Sequence, residues 1–334
     1  MATNRAKKNT AKKRTPRRKA PGNKRRSHWL RNVFALLLLT ALLLGGIYYF
    51  GSFETRAKME RGALSMIGPA RTHAATPAPV AHFLDTLYDA VPSSQGLVVE
   101  GGELGRDPES PFVAGVPHSR QAVRPLSQTS YINLFNETKQ QAALIALRLD
   151  DSAHEEAQAE KAIRIDARMP RLTEQRMTLG QWQPFPLAPP KPLAAQHGQR
   201  GATDAQLATN HAPMPKAFAD GPWKKAMREL ALRYPRRFGE VWIYLGPVYG
   251  TGGSNFVSGI PLPEAFYAIA MDLTEQGGLR ALALLIPVEA KSKNLNKYLT
   301  SVSRIEKLTG LQFLPELDFS VRETLGNYVS PRVW

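Results

Sequence analysis

The chain has no cysteine among its 334 residues. That excludes a disulfide framework and any thiolate metal site, and it leaves the redox compartment open. Acidic residues are missing from the first 53 positions, where Glu54 is the first, whereas thirteen Lys and Arg fall between Arg5 and Arg31. The formal charge of +16 is therefore concentrated at one end. Taking those thirteen from the 44 bases leaves 31 against 28 acids, so the remainder is nearly balanced and lacks the general charge excess of a nucleic-acid binder. Large apolar side chains are almost absent from Met1 to Ser27, a composition that cannot offset its ordering entropy and predicts disorder. No internal repeat is visible.

Between Asn32 and Phe53 there is no charged residue, and Val33 to Phe50 is rich in Leu, Ala, Phe and Ile. That length can span hydrocarbon as a helix. Lys24, Arg25, Arg26 and Arg31 precede it, which predicts a cytoplasmic amino terminus and an exported carboxy-terminal bulk. A cleaved signal peptide is the rival reading of the same pattern. The basic tail serves this topology and also suits anionic lipid; phosphate binding is the sharper alternative. Pro, Ala and Thr between Gly68 and Val80 predict an exposed linker.

Farther on, Phe83 to Ala90 has helical spacing through Phe83, Leu84, Leu87 and Tyr88. Tyr131 to Phe135 and Ala142 to Leu149 read as a strand hairpin turning at Asn136, Glu137 and Thr138. Trp223 to Tyr234 reads as an amphipathic helix ended by Pro235. Strands are predicted at Glu240 to Leu245, Ala265 to Leu273 and Leu279 to Val288, the last two joined at Gln276, Gly277 and Gly278. Leu295 to Thr309 returns to helical period, with Gly310 as its left-handed close. This order indicates an α+β domain.

Several of these segments resemble the non-specific DNA/RNA endonucleases. Val241 to Tyr249 resembles that family's strand and Thr-Gly-Pro turn, with Leu245 in the Thr position. Ile260 to Tyr267 resembles its next strand, Ser301 to Phe313 its last helix and Gly-Leu-x-Phe turn, and Ile165 to Pro170 the segment before its catalytic motif. The resemblance covers roughly Val116 to Leu317 and implies a ββα-metal (His-Me finger) fold, with a central antiparallel sheet flanked by helices, here preceded by one transmembrane helix. Five parts are expected: a basic tail (1–29), an anchor (30–52), a juxtamembrane segment and linker (53–110), the endonuclease-like domain (111–320) and a tail (321–334).

The resemblance implies a histidine general base in an Asp-Arg-Gly-His motif and an asparagine that holds Mg²⁺. A near-neutral imidazole suits the first task, and the hard ion prefers oxygen ligands for the second. Alignment on Leu187-Ala-Pro189 puts Gln183, Pro184, Phe185 and Pro186 in the motif, so Pro186 replaces the base. Asn210 is retained, Ala219 stands at the metal asparagine, and Met227 stands where a glutamate would orient metal-bound water. A catalytically inactive, membrane-anchored interaction module is expected, with no cofactor; the protein partner is not named by the sequence. The alternative is an active Mg²⁺-dependent phosphodiesterase with a relocated site around His197 or His211, Asp204 and Asp220. The bland reading makes those histidines surface residues and Asp220 a cap for a helix beginning at Gly221 or Pro222. Lys224, Lys225 and Arg228, with Arg233, Arg236 and Arg237, are candidate phosphate contacts or simply a solvated helix face.

Overall fold

The structure is a computed structural model that describes residues 24–51, 53–73, 76–89, 97–100, 104, 107, 110–151, 162–250, 255–274 and 277–334. Most of the basic tail, residues 1–23, and Gln276 of the expected turn lie outside the described residues. The chain divides after Phe50 into two units. In the first, α1 (Lys24–Phe50) includes Arg31–Phe50, a 20-residue stretch long and apolar enough to cross a membrane by length and composition. At 1.5 Å per residue it is about 30 Å long, the thickness of a hydrocarbon core. A signal sequence would pass the same test.

The second unit opens with two helices, α2 (Phe53–Thr72) and α3 (Ala78–Asp89); α3 contains the helix expected from Phe83, whereas the end of α2 and the start of α3 occupy part of the linker expected between Gly68 and Val80. The Gly68-Pro69 pair reads as a helix breaker, yet it lies within α2. A Cβ at Gly68 would make only ordinary contact with the Tyr88 ring, 3.9 Å away, so α3 lies alongside this turn of α2. Leu64 and Tyr88 are buried there.

Then come β1 (Val99–Glu100), β2 (His118–Ser119), β3 (Arg124–Ser127), β4 (Ile132–Asn136) and β5 (Gln141–Asp150). They are followed by β6 (Trp182–Pro186), α4 (Pro190–Ala205) and β7 (His211–Pro215). A helical run from Lys216 to Phe238, kinked at the non-helical Gly221, comprises α5 (Lys216–Phe218), a π-type segment at Ala219–Trp223, α6 (Lys224–Arg228), a second π-type segment at Glu229–Arg233, and α7 (Tyr234–Phe238). The remaining elements are β8 (Glu240–Val248), β9 (Phe256–Val257), β10 (Ile260–Pro261), β11 (Ala265–Leu273), β12 (Gly278–Pro287), β13 (Leu299–Thr300), α8 (Val302–Thr309), β14 (Leu311–Gln312) and α9 (Phe319–Asn327).

Eight of the strands form one antiparallel sheet in the order β1-β12-β11-β8-β5-β4-β3, with β13 also on β12. Its central strands are apolar on both faces, because helices cover both. Ile145, Leu147, Ile243, Leu245, Phe266, Ala268, Leu282 and Leu284 face one core with α4, β7 and the helical run. Their sequence neighbours Leu144, Trp242, Tyr244, Tyr267 and Ile269 face a second core with α8, α9 and Phe313. The expected central antiparallel sheet with flanking helices is therefore present. The hairpin at 136–140 is also formed, closed by Lys139 N–H donating to the Asn136 side chain at 2.9 Å.

Three local expectations change. Gly246 and Pro247 continue β8 rather than turn; β5 pairs with β8 only as far as Leu245, so Pro247 sits where that pairing has stopped and no N–H is required on that side. Gly246 is needed because a Cβ there would lie 2.5 Å from the Ala143 carbonyl oxygen and 2.6 Å from the Tyr267 hydroxyl. Leu295 to Tyr298 is a 3₁₀ turn before β13, so the helix is only α8, capped by the Ser301 hydroxyl at one end and left-handed Gly310 at the other. The segment 321–334 is no free tail: it contains most of α9, and Trp334 stacks on Tyr234 at 5.5 Å.

Candidate functional site

β6 and β7 pair antiparallel, with Pro186 opposite His211, Phe185 opposite Ala212, Pro184 opposite Pro213 and Gln183 opposite Met214. The helical run begins directly after β7. Two strands and a helix thus carry the motif positions. The pair holds four prolines, which a two-stranded sheet tolerates because each strand has an open edge where no N–H is required.

Asn210, immediately before β7, is fully buried. Its Oδ1 accepts from Ala188 N at 2.9 Å, and its Nδ2 donates to the carbonyls of Ala188 at 3.1 Å and Ala205 at 2.8 Å. The side chain therefore ties the turn after β6 and the end of α4 to β7. Its amide is committed to the backbone.

His211 is buried, not on the surface as the bland reading had it. Its Nδ1 lies 2.9 Å from the Leu207 carbonyl oxygen, which accepts only if Nδ1 carries the proton. That leaves the lone pair on Nε2. Burial pushes the imidazole pKa down to about 4, against the opposing effect of the Leu207 carbonyl, so the ring is neutral at pH 7.

Ala219 is buried in the first core and Met227 packs into the same core. Beside them Phe218 stacks on Phe266 at 5.4 Å and Trp223 lies 5.5 Å from Phe266. These rings anchor the helical run on the sheet. Gly221 has a non-helical backbone (φ −95°, ψ −109°), so the helical run is kinked there and resumes at Pro222, as expected; Asp220 stands before that restart, but its carboxylate accepts from Lys216 Nζ at 2.9 Å rather than from a backbone N–H. Pro222 accordingly opens the resumed helix, where its missing N–H costs little.

On the outer face, Lys224 and Arg228 are exposed with no acidic partner among the described residues, while Lys225 and Arg233 both pair with the buried Glu229. Burial alone would raise the Glu229 pKa, but Lys225 and Arg233 hold it below the usual value. The proposed ligands are dispersed. Asp204 accepts from the Ser130 backbone N–H and hydroxyl at 3.2 and 3.1 Å, and His197 is half-buried in α4 beside a kink at Gly198. Among the described residues no three His, Asp or Glu side chains converge as a metal site would require.

One buried network was not read from the sequence. Asp166 accepts from Arg168 Nε and Nη2, both at 2.8 Å, and from the Thr209 hydroxyl at 2.8 Å. Burial would raise its pKa, but these donors hold the carboxyl below its usual range. The Asp-x-Arg spacing was the available signal; Thr209, 43 positions away, gave none. This network and Asn210 together fix the segment that leads into β7.

Residues 192–320 match the sequence profile of the DNA/RNA non-specific endonuclease family. Those residues carry that family's domain. No curated protein matches the chain. The matched part of the endonuclease-family domain holds Asn210, His211, Ala219 and Met227, and it starts after the Gln183 to Pro186 strand. Sheet, paired strands and following helical run agree with the membership.

Proposed function

We propose that this endonuclease-family domain is a catalytically silent interaction module tethered to a membrane by α1, with the amino terminus cytoplasmic and the domain on the exported side. The observation that carries it is the chemistry at the motif positions. Pro186 has no proton acceptor, Ala219 has no oxygen, and Met227 offers a soft sulfur where a hard ion prefers oxygen. Asn210 has the right oxygen, but it is fully buried and accepts from Ala188 N. These residues do not fit Mg²⁺. Loss of a general base alone typically slows such chemistry by about a hundredfold to ten-thousandfold.

Plasmid DNA incubated with the purified full chain and Mg²⁺ or Mn²⁺ is expected to stay supercoiled. Nicking above a mock-purified control would overturn the proposal. Membrane tethering is tested separately by carbonate extraction of membranes and by protease accessibility of the domain from each side.

One observation favours a second reading, an active phosphodiesterase with a relocated base. His211 stands opposite Pro186 in the strand register and keeps its lone pair on Nε2. His211→Asn retains a donor for the Leu207 carbonyl and removes the base, so nicking that disappears in that variant would support this reading. Phosphate contacts through Lys224 and Arg228 would appear as a steep salt dependence of DNA binding.

A further inference from the structure

A cavity of about 620 Å³ opens between α8, α9 and the β2–β14 strand pair. Its size falls within the range of small-molecule sites, about 300–1,000 Å³. The second core, against which α8 and α9 pack, lies on the sheet face opposite to β7 and the helical run, so this cavity is separate from the motif positions.

Three cations line it: Arg120, Lys307 and Arg322. Among the described residues neither Arg120 nor Lys307 has an acidic partner within ion-pair distance. Arg322 is held in place: with the Gln312 amide oxygen turned toward it, Gln312 accepts at 2.7 and 3.2 Å. The same guanidinium lies 5.8 Å from the centre of the Phe319 ring. Phe319 begins α9 on the rim and is 71% exposed, so its ring is open to a stacking partner.

Two carboxylates also line the cavity. Glu306 is turned to the backbone, accepting from Phe313 N at 2.8 Å, and burial raises its pKa despite that bond and the nearby Arg322. Glu323, like Arg120 and Lys307, is exposed. The lining therefore carries three cations against two carboxylates, one of them committed to the backbone, beside one aromatic face.

We propose that this cavity binds a ligand joining a flat heteroaromatic ring to a phosphate, as in a nucleoside monophosphate, with the ring on Phe319 and the phosphate between Lys307, Arg322 and Arg120. Stacking on an exposed aromatic tolerates any base, and guanidinium forks match phosphate oxygens. Such a group arrives either as a free mononucleotide or as the phosphorylated end of a strand. The proposal does not depend on whether the motif positions are silent.

Calorimetric titration of the full chain in detergent with adenosine monophosphate, adenosine, inorganic phosphate and 5′-phosphorylated oligothymidylate tests it. One saturable site for the monophosphate is expected, tighter than for either half. Phe319→Ala should weaken the monophosphate about tenfold and leave phosphate unchanged. Arg322→Gln and Lys307→Gln should weaken both. Oligothymidylate binding as tight as the mononucleotide identifies the strand end as the source, and weaker binding identifies the free nucleotide. Should a variant not fold, protection of Lys307, but not Lys224, from acetylation by the monophosphate in the parent chain gives the same answer. Absence of saturable monophosphate binding, or binding indifferent to Phe319→Ala and Arg322→Gln, would overturn the assignment.

Discussion

The buried imidazole of His211 couples the stability of the β6–β7 unit to pH. Its pKa lies at about 4 in the fold, against about 6.5 in an unfolded chain. Above pH 6.5 neither state binds the proton and folding carries no penalty from this group. Between 6.5 and 4 the unfolded state takes up the proton first, so stability falls as pH falls, by about 3 kcal/mol across the window, and levels off below it. Urea midpoints measured from pH 7.5 to 3.5 should show this slope, and His211→Asn should flatten it; an unchanged slope would remove His211 as the cause. Asn210→Ala is the matching test of a retained family residue. It strips partners from Ala188 N and from the Ala188 and Ala205 carbonyls, and should cost about 3 kcal/mol in urea denaturation. A loss below about 1 kcal/mol would mean that the site relaxes around the gap. Residue identity disclosed which groups lack a base or an oxygen, because that is fixed by composition. It did not disclose that His211 is buried or that Asp166 meets Thr209, since both depend on contacts between distant segments.

Among the elements, β5, β8, β11 and β12 were legible as unbroken apolar runs, since a strand covered on both faces needs no alternation. β6 and β7 were legible only through the family resemblance. Two prolines in each erase the usual strand pattern, and the pair is too short to restore it. The helical run was read as Trp223 to Tyr234 but extends from Lys216 to Phe238. Proline lacks an N–H and crowds the carbonyl four residues back. Here Pro222 follows a kink at Gly221, whose backbone is not helical, and Pro235 lies in the first turn of α7, after the π-type segment at 229–233. The kink and the wider turn accommodate what a regular helix would not. Gly239, with a positive φ of 80°, ends the run instead. Since Phe218, Trp223 and Phe266 anchor this run, Trp223→Ala should destabilise the domain by about 4 kcal/mol, read as a lower urea midpoint. A change under about 1 kcal/mol would show that the run is held elsewhere.

For the molecule as a whole, the last four residues are a tie between the second unit's first helices and its core. Pro331 accepts from Arg61 Nε of α2 at 2.7 Å, and Arg332 donates to the Tyr88 hydroxyl of α3. Val333 N donates to the Asn296 side chain at 2.8 Å, and Trp334 N to the Tyr234 hydroxyl at 2.9 Å. Arg280, paired in two bonds to the buried Asp272, covers the Trp334 ring at 4.8 Å from its centre. Pattern reading treated 321–334 as a tail because the seven residues after α9, 328–334, have no periodicity and carry no signal of burial. Truncation after Ser330 should therefore have two separable effects. The half-buried tryptophan and its bonds contribute about 2 kcal/mol, which for a domain this large lowers the melting temperature by roughly 5 °C. In addition α2 and α3 lose the Pro331 and Arg332 contacts, so limited proteolysis should cut within 51–89 before it reaches the sheet. Trp334→Ala, which keeps those two residues, should reproduce the thermal shift without the early cleavage. Equal cleavage of both variants would show that the helices are held by the aromatic stack rather than by the Arg61 and Tyr88 contacts.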